Sequence, residues 1–255
     1  MRFFGPAGKG PPIALSENEH SANNQVASLS PPIYAYAMSG PAGLRLLPGY
    51  FGVEAQRALV ETVMAAQVVA PLCTPRLPRT GAAMSVMQTN LGPLGWVTDQ
   101  ALGYRYQATH PETSAPWPPI PQMLLDLWDE VSGYAAPPEA CLINLYRRGA
   151  RMGLHQDADE DAQDAPVVSV SLGDIALFRV GGPRRGDPTR SFKLTSGDVI
   201  VLGGEARRCF HGVDRVMPET SRLIPGGGRI NLTLRRVTVF LRSNEMETRR
   251  ALFNA

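Results

Sequence analysis

Between Ala140 and Val237 the sequence breaks into seven short segments, CLINLYR, RMGLHQD, VVSVSL, IALFRV, RSFKL, DVIVLGG and RINLTLRRV, packed into about a hundred residues. Gly173-Asp174 and Gly197-Asp198 punctuate them, as short antiparallel strands require. So many strands at this density predict a double-sheet barrel of the jelly-roll kind. Upstream, Phe51, Ala55, Leu59, Val63 and Ala66 recur at helical spacing. PQMLLDLWDEVSG forms a second helix pattern, with Pro119 and Pro121 near its start and Gly133 near its end. Both helices are expected to buttress the outside of the sheet. The expected fold is therefore mainly β with flanking helices.

Hydrophobic residues make up 44% of the 255-residue chain and charged residues 19%, enough apolar side chain for one core. Residues 1–41 differ: Pro, Ser, Asn and Gly dominate and no apolar period appears, which predicts a disordered tail. Met38, just before the domain-like segment, offers an alternative start. The expected domain spans 42–240, with a C-terminal tail over 241–255.

Formal net charge is +2, yet residues 1–140 carry 7 basic against 10 acidic side chains and residues 141–255 carry 18 against 13. Nearly all the cations are arginine, since Lys9 and Lys193 are the only lysines. Arginine forks match carboxylate and phosphate geometry, so anionic partners fit, although simple solvation accounts for most positions. Cys73, Cys141 and Cys209 are odd in number and far apart, as expected for reduced thiols in a cytoplasmic protein. MRFFGPAGKGPP lacks the apolar core of a signal peptide, and no stretch approaches ~18 uninterrupted apolar residues. Neither secretion nor a membrane partner is expected.

Three constellations carry chemistry. His155 and Asp157 stand two apart in LHQDADED, so on extended backbone imidazole and carboxylate share a face. Alone this pair also fits a solvated acidic turn. His211 in CFHGV follows DVIVLGG; alone it also fits a core histidine bonded to a backbone carbonyl. Together the three complete a 2-His-1-carboxylate facial triad, which leaves open positions on non-haem Fe(II). In RINLTLRR, alternation puts Arg229, Asn231, Thr233 and Arg235 on one face and Ile230, Leu232 and Leu234 on the other. Two arginines inside a barrel need anionic partners, and a small dicarboxylate supplies two; an edge strand with a wet polar face is the other reading. Asn144 and Tyr146 share a face of CLINLYR, and both can donate to a carboxylate.

Taken together, ACLINLY, LHQDADE, VVSVSLG, GDVIVLGGE, FHGV and RINLTLR resemble, in order and spacing, the AlkB family of Fe(II)/2-oxoglutarate-dependent dioxygenases. The resemblance runs from about Gly43 to Arg236. It implies a double-stranded β-helix core, with His155, Asp157 and His211 as iron ligands. Asn144, Tyr146, Arg229, Asn231 and Arg235 would hold 2-oxoglutarate, Arg229 and Tyr146 at its distal carboxylate, Arg235 and Asn144 nearer the metal. MSVMQTNLGPLGW and GYRYQATHPETSAPWPPIP resemble the family's N-terminal nucleotide-recognition lid, here 82–117. There Trp96 would stack on a flipped-out base, with Tyr104 and Tyr106 contacting the nucleotide or its phosphate. Asp159 would face the positive edge of an alkylated base, and Arg185 would contact the base.

The implied activity is oxidative demethylation of 1-methyladenine and 3-methylcytosine in single-stranded or damaged DNA. O2 and 2-oxoglutarate would be consumed, and succinate, CO2 and formaldehyde released. RNA, or a non-nucleic substrate, is the alternative within the same fold. An iron-free nucleic-acid-binding module and a cupin-like barrel with another metal are the readings outside this activity; the complete triad argues against the first and RINLTLR against the second. A monomer is expected. Three departures bear on substrate preference: one extra residue between Trp96 and Tyr104, Gly153 where serine is common, and Gln88 where an apolar side chain is common.

Overall fold

A computed structural model describes residues 40–240 and the backbone of Tyr36–Ala37. Two antiparallel sheets form the body. The larger has seven strands in the order β1 (Tyr36–Ala37), β2 (Leu44–Leu47), β11 (Val199–Leu202), β8 (Val167–Gly173), β13 (Arg229–Arg235), β6 (Ala140–Tyr146) and β3 (Met87–Leu91). The smaller has four, β10 (Arg190–Leu194), β9 (Ala176–Val180), β12 (His211–Val216) and β7 (Met152–His155). A separate hairpin pairs β4 (Gly95–Asp99) with β5 (Gly103–Gln107).

The large sheet is buried on both faces, and this explains why β6 and β13 read as unbroken buried runs despite their polar residues. Its outer face presents Cys141, Ile143, Leu145, Ile230, Leu232 and Leu234 to α1 (Val53–Val69) and α2 (Gln122–Val131). The helices answer with Leu59, Val60 and Val63 from α1 and Leu124, Leu127 and Trp128 from α2. Each such side chain contributes about 1.5–3 kcal/mol by leaving water, and the Trp128 indole donates to the Ala136 carbonyl at 3.0 Å, so its polar atom is also satisfied. The inner face turns the alternate residues Asn144, Tyr146, Asn231, Thr233 and Arg235 toward the small sheet. The period-2 assignment of RINLTLRR and CLINLYR to two faces is thus what is observed.

The Gly-Asp turns work as their chemistry requires. Gly173 and Gly197 take φ of +88° and +91°, a region open to glycine at little cost. The carboxylate of Asp198 then accepts from the backbone N–H of Gly49 and Thr195, and that of Asp174 from Ser221 and Gly228. Each aspartate ties its turn to a distant loop.

Three local expectations come out differently. Within 82–117 only β4 and β5 stand apart as a hairpin; β3 is an integral strand of the large sheet, with Gln88 directly opposite Asn144. His211 does not merely flank a buried strand but opens β12, after a 3-10 turn over Gly204–Arg208. HGVDRV is too polar for its strand to be visible without its partners β7 and β9. Tyr36–Ala37, inside the segment expected to lack structure, pairs with Arg45 and Leu46 of β2 and covers what would otherwise be an open edge. The expectations for residues 1–35 and 241–255 lie outside the described residues. Among the described residues no helix is long and apolar enough to cross a membrane.

Candidate active site

Between the two sheets lies a cavity of about 1010 Å³, at the upper end of ordinary single-ligand pockets and so roomy enough for two small molecules side by side. Strands from both sheets meet at its inner end. His155 closes β7 and is the register partner of His211 at the start of β12, and Asp157 follows on the irregular segment after β7. Gly212 makes this approach feasible: a Cβ there would sit 2.5 Å from the Met152 carbonyl oxygen.

The two imidazoles are oriented alike. His155 Nδ1 lies 2.9 Å from the Gly153 carbonyl and His211 Nδ1 3.1 Å from that of Cys209. A carbonyl can only accept, so Nδ1 carries the proton and each Nε2 keeps its lone pair. Those Nε2 atoms point at the two oxygens of Asp157, each at 3.7 Å. The donor atoms of the three residues lie within 4.8 Å of one another, and no other such cluster occurs among the described residues. Burial opposes ionisation of Asp157, but Arg235, His211, His155 and Arg207 outweigh it and hold the carboxyl well below the usual range. Burial likewise pushes His211 down to about 4, against the pull of Asp157. Both groups are therefore in the state a cation needs at neutral pH. Asp157 Oδ2 is buried without a hydrogen bond, which fits its use as a metal ligand beside the two Nε2 atoms.

Behind the lining residue Tyr146, Arg229 is 1% exposed and is not itself among the residues lining the cavity. Its Nη2 donates to Ser171 Oγ at 2.9 Å, whereas Nε and Nη1 reach no acceptor at good hydrogen-bond geometry; burial depresses its pKa, and the Tyr146 side chain partly offsets this. Its guanidinium carbon sits 5.2 Å from the ring centroid of Tyr146, its register partner on β6. A buried cation with no carboxylate beside it fits a carboxylate ligand. Arg235 differs, donating to Asp157 Oδ1 at 2.9 Å with its Nε 3.4 Å from Glu160 Oε1. Asn144 and Asn231 face each other across β6 and β13. Both amide hydrogens of Asn231 are spent on Ser169 Oγ and the Val170 carbonyl, so Asn231 braces the floor and has no donor free. The Asn144 oxygen accepts from Gln88 Nε2 at 2.6 Å.

At the mouth, Trp96 of β4 and Tyr104 of β5 stack with centroids 5.5 Å apart. The Trp96 indole N–H donates to Asp159 Oδ2 at 2.7 Å, so the hairpin and the segment after β7 meet across the opening. Arg185 also lines the cavity, its guanidinium over the Phe210 ring and its Nη1 on the Leu154 carbonyl. Tyr106 points inward instead, its hydroxyl donating to Glu160.

Two residues escaped the sequence reading. Glu160 and Arg207 form an ion pair at 2.9 Å, 4% and 3% exposed, and Arg207 also donates to the Asp157 and Ala165 carbonyls. This pair clamps the metal-ligand segment from behind. In the string DADED, Glu160 looks like solvated charge, and nothing local distinguishes it.

A His-Asp-His cluster in a jelly-roll cavity, with a buried arginine without a carboxylate partner stacked against Tyr146 of its lining, defines a non-haem iron oxygenase that uses a carboxylate co-substrate. The family model described as "2OG-Fe(II) oxygenase superfamily" matches residues 43–235. The "Alpha-ketoglutarate-dependent dioxygenase AlkB homolog" of Caulobacter vibrioides is 57% identical over 194 residues, 76% of this chain and 87% of that protein. The "DNA N(6)-methyladenine demethylase ALKBH1D" of Arabidopsis thaliana is 40% identical over 108 residues, 38% of this chain and 24% of that protein. Among solved structures, that of OsALKBH1 superposes with a TM-score of 0.65 at 29% identity, covering 78% of this chain and all of that one. The chain belongs to the AlkB family of Fe(II)/2-oxoglutarate-dependent dioxygenases.

Proposed function

We propose that the enzyme oxidatively demethylates N-alkylated nucleobases, 1-methyladenine and 3-methylcytosine first, in single-stranded or damaged DNA, with RNA as the alternative substrate. The observation that carries this is the cavity mouth: a stackable indole, a phenol and the carboxylate of Asp159 frame the opening above the triad. An aromatic face suits any base, whereas a carboxylate selects one with positive charge. The name of the Arabidopsis relative points to nucleic acid as well.

His155, Asp157 and His211 hold the metal through Nε2, carboxylate and Nε2. The Fe(II) they would hold would let O2 act as oxidant, converting 2-oxoglutarate to succinate and CO2 and the N-methyl group to formaldehyde. Arg229 and Tyr146 take the distal carboxylate of the co-substrate, and Asn144 and Arg235 orient it nearer the metal. The β4–β5 hairpin serves as the nucleotide-recognition lid. Trp96 stacks on the extruded base, Asp159 exchanges its indole partner for the cationic edge of that base, and Arg185 contacts the base from the other side. Tyr104 backs the indole, while Tyr106 anchors the hairpin to Glu160. Extrusion costs least from single strands. The enzyme works as a monomer in the cytoplasm, whose reducing conditions suit the free thiols of Cys73, Cys141 and Cys209.

The test is formaldehyde and succinate release, measured with Fe(II), 2-oxoglutarate and a single-stranded oligonucleotide carrying one 1-methyladenine. Formaldehyde stoichiometric with repaired adenine is expected, with succinate formation stimulated by the methylated strand over the unmethylated one. Succinate produced at the same rate with either strand, and no formaldehyde, would exclude nucleobase demethylation.

A further inference from the structure

We propose that Gln88 is a positioning residue for the co-substrate: it holds the Asn144 amide in the one orientation that presents Nδ2 to a carboxylate in the cavity. This rests on the reading of Asn144 as a 2-oxoglutarate contact.

Gln88 and Asn144 are register partners on the adjacent strands β3 and β6, 3% and 4% exposed, and both line the cavity. Gln88 Nε2 donates to Asn144 Oδ1 at 2.6 Å. An amide has one acceptor and one donor end. With its oxygen engaged by Gln88, Asn144 turns Nδ2 the other way, toward the cavity that both residues line. Rotated by half a turn, Asn144 would offer its oxygen to a ligand carboxylate, and two acceptors would oppose each other.

No other group on the floor sets this choice. Asn231, on the far side of Asn144, has both amide hydrogens committed to Ser169 and Val170. The Gln88 backbone is fixed on its other side by Cys73, with N–H and carbonyl bonds of 2.8 and 2.9 Å. An apolar side chain at position 88 would fill the same space but leave the Asn144 torsion free.

The experiment compares wild type, Gln88→Met, Gln88→Leu, Asn144→Ala and Gln88→Met/Asn144→Ala. Affinity for 2-oxoglutarate is read anaerobically from the visible charge-transfer absorption of the Fe(II)–2-oxoglutarate complex, and independently from the rise in Tm on adding 2-oxoglutarate with redox-inert Mn(II). Gln88→Met should weaken 2-oxoglutarate binding about three- to tenfold, the scale of one oriented hydrogen bond, with the Mn(II) affinity unchanged; the ligand-free Tm should fall modestly, because the buried Asn144 Oδ1 loses its donor. In the Asn144→Ala background the same change should have no further effect. Gln88→Leu gives the same reading if Gln88→Met proves unstable. Wild-type affinity in both Gln88 variants, alongside a loss in Asn144→Ala, would overturn the positioning role and leave Asn144 as a contact. Wild-type affinity in Asn144→Ala would remove the contact, and this inference with it.

Discussion

Replacing Arg229 by methionine should separate its cost to the fold from its value to the ligand. The side chain is 1% exposed, donates to Ser171 Oγ, interacts with the Tyr146 side chain and has no carboxylate beside it. Burying a charge without a counter-charge costs several kcal/mol, and replacing it by an apolar group of similar volume is often neutral or stabilising. Ligand-free Arg229→Met is therefore expected to melt at or above the wild-type temperature. The ligand-bound state behaves oppositely. Losing a buried guanidinium–carboxylate pair costs about 2–5 kcal/mol, so 2-oxoglutarate affinity should fall roughly 30-fold to several thousandfold. At a ligand concentration of ~100 Kd the wild type gains about 2.7 kcal/mol, which for a domain of this size raises Tm by about 5–10 °C. The variant should show almost none of that rise. Calorimetric or fluorescence melts with Mn(II), with and without 2-oxoglutarate, provide the assay. A ligand-free variant destabilised by more than about 2 kcal/mol that keeps the full ligand-induced shift would show that Arg229 is structural, and would refute the argument from its missing counter-charge.

Other perturbations have equally definite outcomes. Arg235→Met should destabilise the ligand-free protein by about 3–5 kcal/mol, because Asp157 and Glu160 lose the cation between them; denaturant melts measure it, and a neutral result would contradict the charge network. His155→Ala or His211→Ala should abolish Fe(II) binding by isothermal titration while circular dichroism stays native, since each removes one of three donors from a site otherwise built by backbone pairing. Asp159→Asn should impair demethylation of cationic 1-methyladenine more than that of neutral lesions, and Trp96→Ala should cost ~1–3 kcal/mol of oligonucleotide binding; equal losses for cationic and neutral bases would remove the charge-reading role. The pH dependence follows from His211, whose folded pKa of about 4 lies below its ordinary 6.5. Between these values the unfolded chain binds a proton that the native protein does not, so native stability rises with pH by about 1.4 kcal/mol per unit across the window. Metal-free protein should lose that stability as pH falls from 6.5 toward 4, and His211→Ala should flatten the profile.

Much of this molecule is decided within single segments of chain. Alternation in RINLTLR and CLINLY assigns apolar residues to the helix-covered face and polar ones to the cavity, because successive side chains of a strand must point to opposite faces. The Gly-Asp turns follow from glycine's access to positive φ, and the helices follow from their apolar spacing. The residue types of the triad were legible only jointly, since His155-Asp157 alone also fits a solvated turn and His211 alone a core histidine, and it is their combination that points to a metal. What no segment contains is the register between strands distant in sequence. His155 meets His211 because β7 pairs with β12 across a bulge, and that pairing is selected by packing of the whole small sheet. Register likewise puts Gln88 opposite Asn144 and decides that Arg235 ends between the carboxylates of Asp157 and Glu160 while Arg229 has none beside it. The inward turn of Tyr106 and the burial of Glu160 against Arg207 have the same origin. A polar side chain's partner and burial depend on which residues arrive around it from elsewhere, and only the tertiary structure brings them there.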